Sequence, residues 1–265
     1  MVGHENLAKD FKRLADGGRL SHAYLFFGEP QVGKFLFVSS FANYLENKTF
    51  EPPKNHLKET LTIAIKKEDE KESVGIDEIR SLQNFLYQKP VFSPKRTVII
   101  RDAEDLTPEA QNAILKILEE PPAQSLIIFI ANNYDNLFPT VLSRLQKIYF
   151  PRIDAKEITD FLKKNLRLSK TKAKSIAKES FGRPGRAIAN AQNQKSKIKN
   201  QKFKIEGVIE NNQIDEYFEF LIADLYKEPM KNYKKLKQAL NTLTLMKQFN
   251  LNKKLQFKNL WSKIS

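Results

Sequence analysis

The chain has 265 residues, which is enough for one domain with a sizeable core and a second, smaller unit. It contains no cysteine, which excludes disulfide bonds, cysteine-bound zinc and thiol nucleophiles. The net charge of +14 is unevenly distributed, because residues 163–204 hold 14 basic residues and a single acid. The N-terminus lacks the layout of a signal peptide, and no apolar run approaches the ~20 residues of a membrane span, so we expect a cytoplasmic protein without membrane contact.

The first 150 residues alternate short apolar runs with helical periods, which is typical of an α/β domain with a parallel sheet. Uninterrupted apolar runs indicate strands that are covered on both faces. Five strands are predicted, at Ala23–Phe27, Leu61–Ile65, Thr97–Arg101, Ser125–Ala131 and Lys147–Phe150. Helices are predicted between them at Lys34–Tyr44, Ile76–Tyr87 and Thr107–Leu118.

After Pro151 no further strand is predicted and the chain becomes helical. Three short helices are expected, ending at Leu166, covering Ser169–Ser180 and centred on Arg186–Ala191. Later helical segments are predicted at Ile214–Tyr226, Pro229–Phe249 and Leu251–Ile264. We therefore expect a nucleotide-binding-like domain over residues 1–152, a three-helix domain over 153–192 and a short all-α domain over 193–265.

A phosphate-binding loop is predicted between the first strand and the first helix. The sequence Gly28-Glu-Pro-Gln-Val-Gly33-Lys34 has the G-x-x-x-x-G-K spacing, in which glycines let backbone N–H groups approach phosphate oxygens. The N-terminus of the following helix adds partial positive charge, and Lys34 would reach the terminal phosphates. Gly28, Gly33 and Lys34 are therefore candidate nucleotide-binding residues.

The positions that would hold Mg²⁺ carry unsuitable side chains. The loop motif normally ends in a serine or threonine hydroxyl that binds the metal, but here it ends in Phe35. A carboxylate is expected where the strand Thr97–Arg101 ends, but Arg101 stands at the first position and Asp102 follows. A shift of one residue would make Asp102 the ligand. We expect no metal site, no required cofactor, at most weakly bound ATP or ADP, and no ATP hydrolysis by the chain alone.

Five blocks of the chain resemble, in the same order, those of the AAA+ clamp-loader subunits of bacterial DNA polymerase III. They are Ser21–Gly28, Ile76–Arg80, Arg101–Pro122, Pro139–Arg144 and Gly182–Ala187. The resemblance implies a RecA-like AAA+ domain, a three-helix lid domain and a collar-like helical domain. Delta-prime members of that family often have a degraded nucleotide site, as Phe35 and Arg101 indicate here. The zinc module usual in the family is absent, because the chain has no cysteine.

The resemblance also implies roles for three polar residues. Arg144 would be an arginine finger that stabilises transition-state charge on the ATP of a neighbouring subunit; the alternative is an ordinary surface arginine. Asn132 or Asn133 falls at the sensor-1 position, and the alternative is a turn residue at the end of a strand. Arg186 falls at the sensor-2 position, and its alternative is one more charge of the basic segment.

Two functions follow from these features. The first, favoured by Phe35 and Arg101, is a delta-prime-like structural (stator) subunit of the sliding-clamp loader in DNA replication. The second is an ATP-hydrolysing motor subunit of the gamma/tau type. The partners implied are the gamma/tau and delta subunits and, indirectly, the sliding clamp and primed DNA. The basic segment 163–204 either contacts DNA phosphates directly or reflects a lysine-rich composition.

Overall fold

The chain forms two compact units, Met1–Lys195 and Ser196–Ser265. The computed structural model describes residues 2–64 and 76–193 and, further along, residues 218, 221–222, 225–226, 228, 230–248, 255–256 and 258–260. The predicted boundary after residue 152 lies inside the first unit, so the division into three domains stays a prediction. None of the helices in these ranges combines the length and apolar composition needed to cross a bilayer.

A five-stranded parallel sheet forms the centre of the first unit, in the order β2-β3-β4-β1-β5. The strands are β1 (Ala23–Phe27), β2 (Thr60–Ala64), β3 (Arg96–Arg101), β4 (Ser125–Ala131) and β5 (Gln146–Tyr149). The parallel sheet predicted from the apolar runs is confirmed, and each strand begins and ends within one residue of the predicted positions. The middle strand, β4, is buried along its whole length because both faces of the sheet are covered.

Helices on the two faces of the sheet enclose two separate cores. They are α1 (Glu5–Asp16), α2 (Lys34–Asn47), α3 (Ile76–Tyr87), α4 (Pro108–Glu119) and α5 (Pro139–Leu142). One core contains side chains of α3, α4 and α5, and the other is rich in aromatic rings from α1, α2 and β1. The helices predicted above include neither α1, although Leu7, Phe11 and Leu14 recur there at helical spacing, nor α5, which has only four residues.

Three helices after the sheet form a small bundle with its own apolar core. They are α6 (Ala155–Leu166), α7 (Lys170–Glu179) and α8 (Pro184–Asn193). Ile158, Leu162 and Ile176 are fully buried between them. The predicted three-helix arrangement is therefore confirmed.

The described part of the second unit is helical. Its longest helix, α9 (Tyr233–Gln248), lies within the predicted segment Pro229–Phe249. Phe218, Ala239 and Leu260 belong to a separate apolar cluster in this unit. The predicted helices Ile214–Tyr226 and Leu251–Ile264 fall largely outside the described residues.

Candidate nucleotide site

The candidate phosphate loop connects β1 to α2 through two glycines in conformations that other residues rarely adopt. Gly28 has a φ of 143°, and a Cβ atom added there would lie 2.4 Å from the carbonyl oxygen of Phe150. Gly33 has a φ of 104° and immediately precedes α2. The loop thus turns tightly into the N-terminus of α2, as the glycine spacing predicts.

The ammonium group of Lys34 is directed back into its own loop. Its Nζ donates to the carbonyl oxygens of Gly28 (2.5 Å) and Glu29 (2.7 Å) and to Oδ1 of Asn132 (3.2 Å). These three bonds match the three donors of an ammonium group. The side chain is 6% exposed, and burial lowers the pKa of Lys34 to about 8, although nearby carboxylates oppose the shift.

Asn132 links Lys34 to the carboxylate of Glu104. The backbone N–H of Asn132 (3.0 Å) and its Nδ2 (2.7 Å) both donate to Oε1 of Glu104. Asp102 follows β3 with a left-handed φ of 54°, and its charge, like that of Glu104, raises the pKa of Lys34 against the effect of burial. The structure therefore brings Lys34, Asn132 and Asp102 together at the carboxyl ends of the strands, where open α/β sheets bind ligands.

Phe35 and Arg101, which occupy the expected magnesium positions, contact each other. The Cζ atom of Arg101 lies 4.3 Å from the centroid of the Phe35 ring, which is a cation–π distance. Phe35 is 39% exposed, so the pair lies at the surface. Within the part of the chain that the structure describes, no cluster of three or more histidine, aspartate or glutamate side chains could hold a metal ion.

The three-helix bundle contacts the phosphate loop at two points that the sequence does not reveal. Arg152, in the segment leading to α6, donates from Nε (2.9 Å) and Nη2 (2.6 Å) to Oε1 of Glu29. The N–H of Gly185, in the first turn of α8, donates to the carbonyl oxygen of Gln31 (3.0 Å). Gly185 lies so close to the loop that an added Cβ atom would be 3.1 Å from the Gln31 backbone.

The N-terminal segment holds the loop from another direction. His4 is buried, and its Nε2 lies 3.1 Å from the carbonyl oxygen of Val32. Burial lowers the pKa of His4, although the hydrogen bond to Val32 opposes the shift. The histidine therefore acts as a structural contact of the loop.

Arg186, the sensor-2 candidate, is on α8 next to the glycine that contacts the loop. Its Cζ atom lies 5.5 Å from the centroid of the Phe181 ring. The hydrogen bonds of Lys34 are made with the loop and with Asn132, and Arg186 takes no part in them.

Arg144, the candidate arginine finger, follows α5 and contacts α4. Its Nη1 donates to the carbonyl oxygen of Thr140 (2.6 Å) and to Oγ of Ser143 (3.3 Å), and its Nη2 donates to Oε1 of Glu119 (2.7 Å). The Arg144 side chain is 33% exposed and that of Glu119 is 51% exposed. The salt bridge joins residues 25 positions apart, so no local pattern predicts it.

A buried glutamine fixes the segment that leads to α5. Gln111 donates from Nε2 to the carbonyl oxygens of Leu106 (3.1 Å) and Asn136 (3.0 Å), and its Oε1 accepts from the N–H of Phe138 (2.7 Å). Helical spacing places Gln111 on the same face as the buried Ile114. A polar residue on this apolar face is the sequence signal that could have predicted a buried, hydrogen-bonded glutamine.

Comparison with known proteins identifies the family. Residues 3–154 match a family model described as "DNA polymerase III, delta subunit", which covers more than half of the chain. The chain belongs to this family.

Two curated relatives illustrate the similarity. The DNA polymerase III subunit gamma/tau of Mycobacterium tuberculosis is 30% identical over 155 residues, which cover 54% of this chain and 27% of that protein. The DNA polymerase III subunit delta' of Bacillus subtilis is 30% identical over 161 residues, covering 54% of this chain and 46% of that protein. The chain thus matches less than half of the length of either relative.

A solved structure confirms the fold. The crystal structure of a DNA polymerase III gamma subunit-related protein from Thermotoga maritima superposes with a TM-score of 0.60 and 22% identity, covering 96% of this chain and 97% of that one. Together with the strand order, this likeness confirms the RecA-like AAA+ fold expected for this family member.

Proposed function

We propose that this chain is a delta-prime-like structural (stator) subunit of the sliding-clamp loader of the replicative DNA polymerase. Membership of the DNA polymerase III, delta subunit family and the subunit names of its relatives support a place in that complex. The observation that most supports a structural rather than a hydrolytic role is the contact between Phe35 and Arg101. Both residues occupy positions at which a hydrolysing site would bind its metal ion.

The donor set of this site does not suit Mg²⁺. The ion requires oxygen ligands in near-octahedral geometry, whereas Phe35 offers none and Arg101 adds a positive charge. Of the expected ligands only the carboxylate of Asp102 remains, and its charge acts on the ammonium group of Lys34. We therefore assign no hydrolytic step to this chain.

The contacts of Lys34 also favour a degenerate site. To bind a phosphate, Nζ would have to exchange bonds to Gly28, Glu29 and Asn132 for bonds to the ligand. The backbone N–H of Gly185 in the bundle is similarly engaged with the loop. Binding of ATP or ADP would thus be weak, and we propose that the chain needs neither a nucleotide nor zinc.

Arg144 is proposed to act on the ATP of a neighbouring gamma/tau-type subunit. Its guanidinium group is partly exposed on a short, well-fixed segment, as such a role requires. An arginine supplied in trans to a phosphoryl-transfer site accelerates the reaction roughly 10³- to 10⁵-fold. The other proposed partners are the delta subunit and, through the assembled loader, the sliding clamp and primed DNA.

The test combines the isolated chain with the reconstituted loader. The isolated chain should show no ATP turnover with or without Mg²⁺, and Arg144→Ala should strongly lower the ATPase of the loader while leaving assembly intact. Arg13→Ala is the matched control, since Arg13 is an exposed arginine of α1 that faces Asp10 at 4.0 Å. Unchanged loader ATPase with Arg144→Ala would contradict the proposed role.

A gamma/tau-type motor subunit is the second candidate. It is favoured by one observation, that a gamma/tau relative and a delta' relative are equally similar to this chain, at 30% identity each. Sustained Mg²⁺-dependent turnover by the isolated chain would support the motor and exclude the stator.

Direct contact with DNA remains a prediction for the basic segment 163–204. In its described part, the lysines and arginine of α6, α7 and the segment between them are exposed, and one of them, Lys163, lies 3.7 Å from Asp160. Binding through phosphates would weaken steeply with added salt, with a slope of about −0.9 per phosphate contact in a double-logarithmic plot. A flat salt dependence of DNA binding would contradict this contact.

A further inference from the structure

The C-terminal end of α4 carries two acids where a helix normally favours bases. Glu119 is the last residue of the helix and Glu120 is its C-cap. Carboxylates are unfavourable there, because the helix dipole places partial negative charge at the C-terminus. Helix-capping preferences therefore do not explain a glutamate at position 119. Its salt bridge with Arg144, a tertiary contact, does.

The backbone on both sides of Arg144 is firmly held. Val141 and Leu145 are buried in the core of the sheet domain, and the N–H of Arg144 donates to the carbonyl oxygen of Val141 (3.1 Å). These contacts hold the backbone at residue 144, so the long side chain is its least restrained part. Two further contacts, to Thr140 and to Glu119, restrict that side chain.

The guanidinium group keeps donors for a ligand after these contacts are made. It has five N–H groups. Both donors of Nη1 are used by Thr140 and Ser143, and one donor of Nη2 is used by Glu119. The N–H on Nε and the second N–H on Nη2 are left for oxygen atoms of a phosphate.

We propose that Glu119 is a positioning residue for Arg144, an inference that rests on the proposed function of Arg144 on a neighbouring subunit's ATP. Its carboxylate holds the guanidinium plane in one orientation before the phosphate is engaged. An arginine side chain otherwise samples many rotamers, and ordering it during the reaction would add to the barrier. Glu119 itself touches neither nucleotide nor phosphate.

The experiment measures steady-state ATPase of the reconstituted loader carrying the full-length chain. Glu119→Ala should lower kcat by about three- to fivefold, the scale of a half-exposed salt bridge, with KM for ATP unchanged. Glu119→Gln, which keeps an acceptor oxygen, should recover part of the loss. Glu120→Ala is the matched control and should behave as the wild type, because consecutive helix residues point about 100° apart.

A double variant separates positioning from a purely structural role. With Arg144→Ala already present, adding Glu119→Ala should cause no further loss, because the two residues act as one unit. An equal loss in both backgrounds would show that Glu119 only supports α4. An unchanged or raised kcat with Glu119→Ala alone would also overturn the proposal, provided that Arg144→Ala lowers activity. If Arg144→Ala itself has no effect, the proposed function fails and this inference fails with it.

Discussion

Replacing Lys34 with methionine would remove a buried positive charge while keeping an unbranched side chain of similar length. In the native protein Lys34 is 6% exposed, and its ammonium group is bonded to two carbonyl oxygens of its own loop. Burial lowers the pKa of Lys34 from 10.5 to about 8. The free energy of unfolding must therefore depend on pH through this residue.

The sign and size of the effect follow from proton linkage. Between the two pKa values the unfolded chain keeps a proton on Lys34 that the folded chain has released, so the native state becomes more stable as pH rises. From about pH 7 to about pH 9.5 this contribution amounts to about 2 kcal/mol. The Lys34→Met variant has no titrating group at this position and therefore lacks this pH-dependent gain in stability. The free energy of unfolding of the wild type minus that of the variant should thus increase by about 2 kcal/mol over this range.

The assay is urea unfolding at several pH values, followed by far-ultraviolet circular dichroism. Taking the difference between two proteins at each pH cancels the titration of all other groups. The single tryptophan, Trp261, lies within residues 196–265, so its fluorescence allows that region to be followed separately. Lys9→Met, at an exposed position of α1, controls for the loss of one positive charge.

A difference that stays constant or falls with pH would refute this account of Lys34. Repeating the series with ATP gives a second result. Phosphate bound at Nζ would raise the pKa of Lys34 and remove the pH-dependent difference. We expect ATP to have no such effect, because the three donors of Nζ are already used.

Three other variants test parts of the site and the fold. Combining Phe35→Thr with Arg101→Asp supplies the missing hydroxyl and carboxylate, so calorimetry should detect ATP binding that EDTA abolishes; neither single change should suffice. Gly28→Ala should destabilise the protein by more than about 1 kcal/mol in thermal unfolding, because its Cβ would meet the Phe150 carbonyl; wild-type stability would contradict the loop geometry. Thr107→Ala should cost about 1 kcal/mol, since its hydroxyl caps α4, and a loss below a few tenths would exclude that role.

The strands and the phosphate loop could be predicted because their signals are local. A run such as Ser125–Ala131 must be buried on both faces wherever it lies, and that requirement specifies a central parallel strand. Gly28 and Gly33 are needed by the backbone of the loop itself. Helix α1 has a local signal of the same kind, because Leu7, Phe11 and Leu14 lie on one helical face, although it is absent from the predicted helices.

The residue types at the expected metal-binding positions could also be identified from the sequence. Phe35 has no ligand atom and Arg101 carries the wrong charge, whatever their surroundings. Their mutual contact could not be predicted from the sequence, because it joins the start of α2 to the end of β3, which are far apart in the chain. The same holds for the bond between Lys34 and Asn132, which are 98 positions apart.

The sequence therefore predicted the five strands, the phosphate loop and most of the helices, since each depends on neighbouring residues. That the site does not suit Mg²⁺ follows from side-chain type and stays a proposal. The partners of Lys34, the docking of Gly185 on the loop and the pairing of Arg144 with Glu119 arose from packing. Burial and charge pairing depend on which residues, distant in the chain, come into contact. These contacts are determined by how the helices pack on the sheet. The proposed stator role rests on both kinds of information.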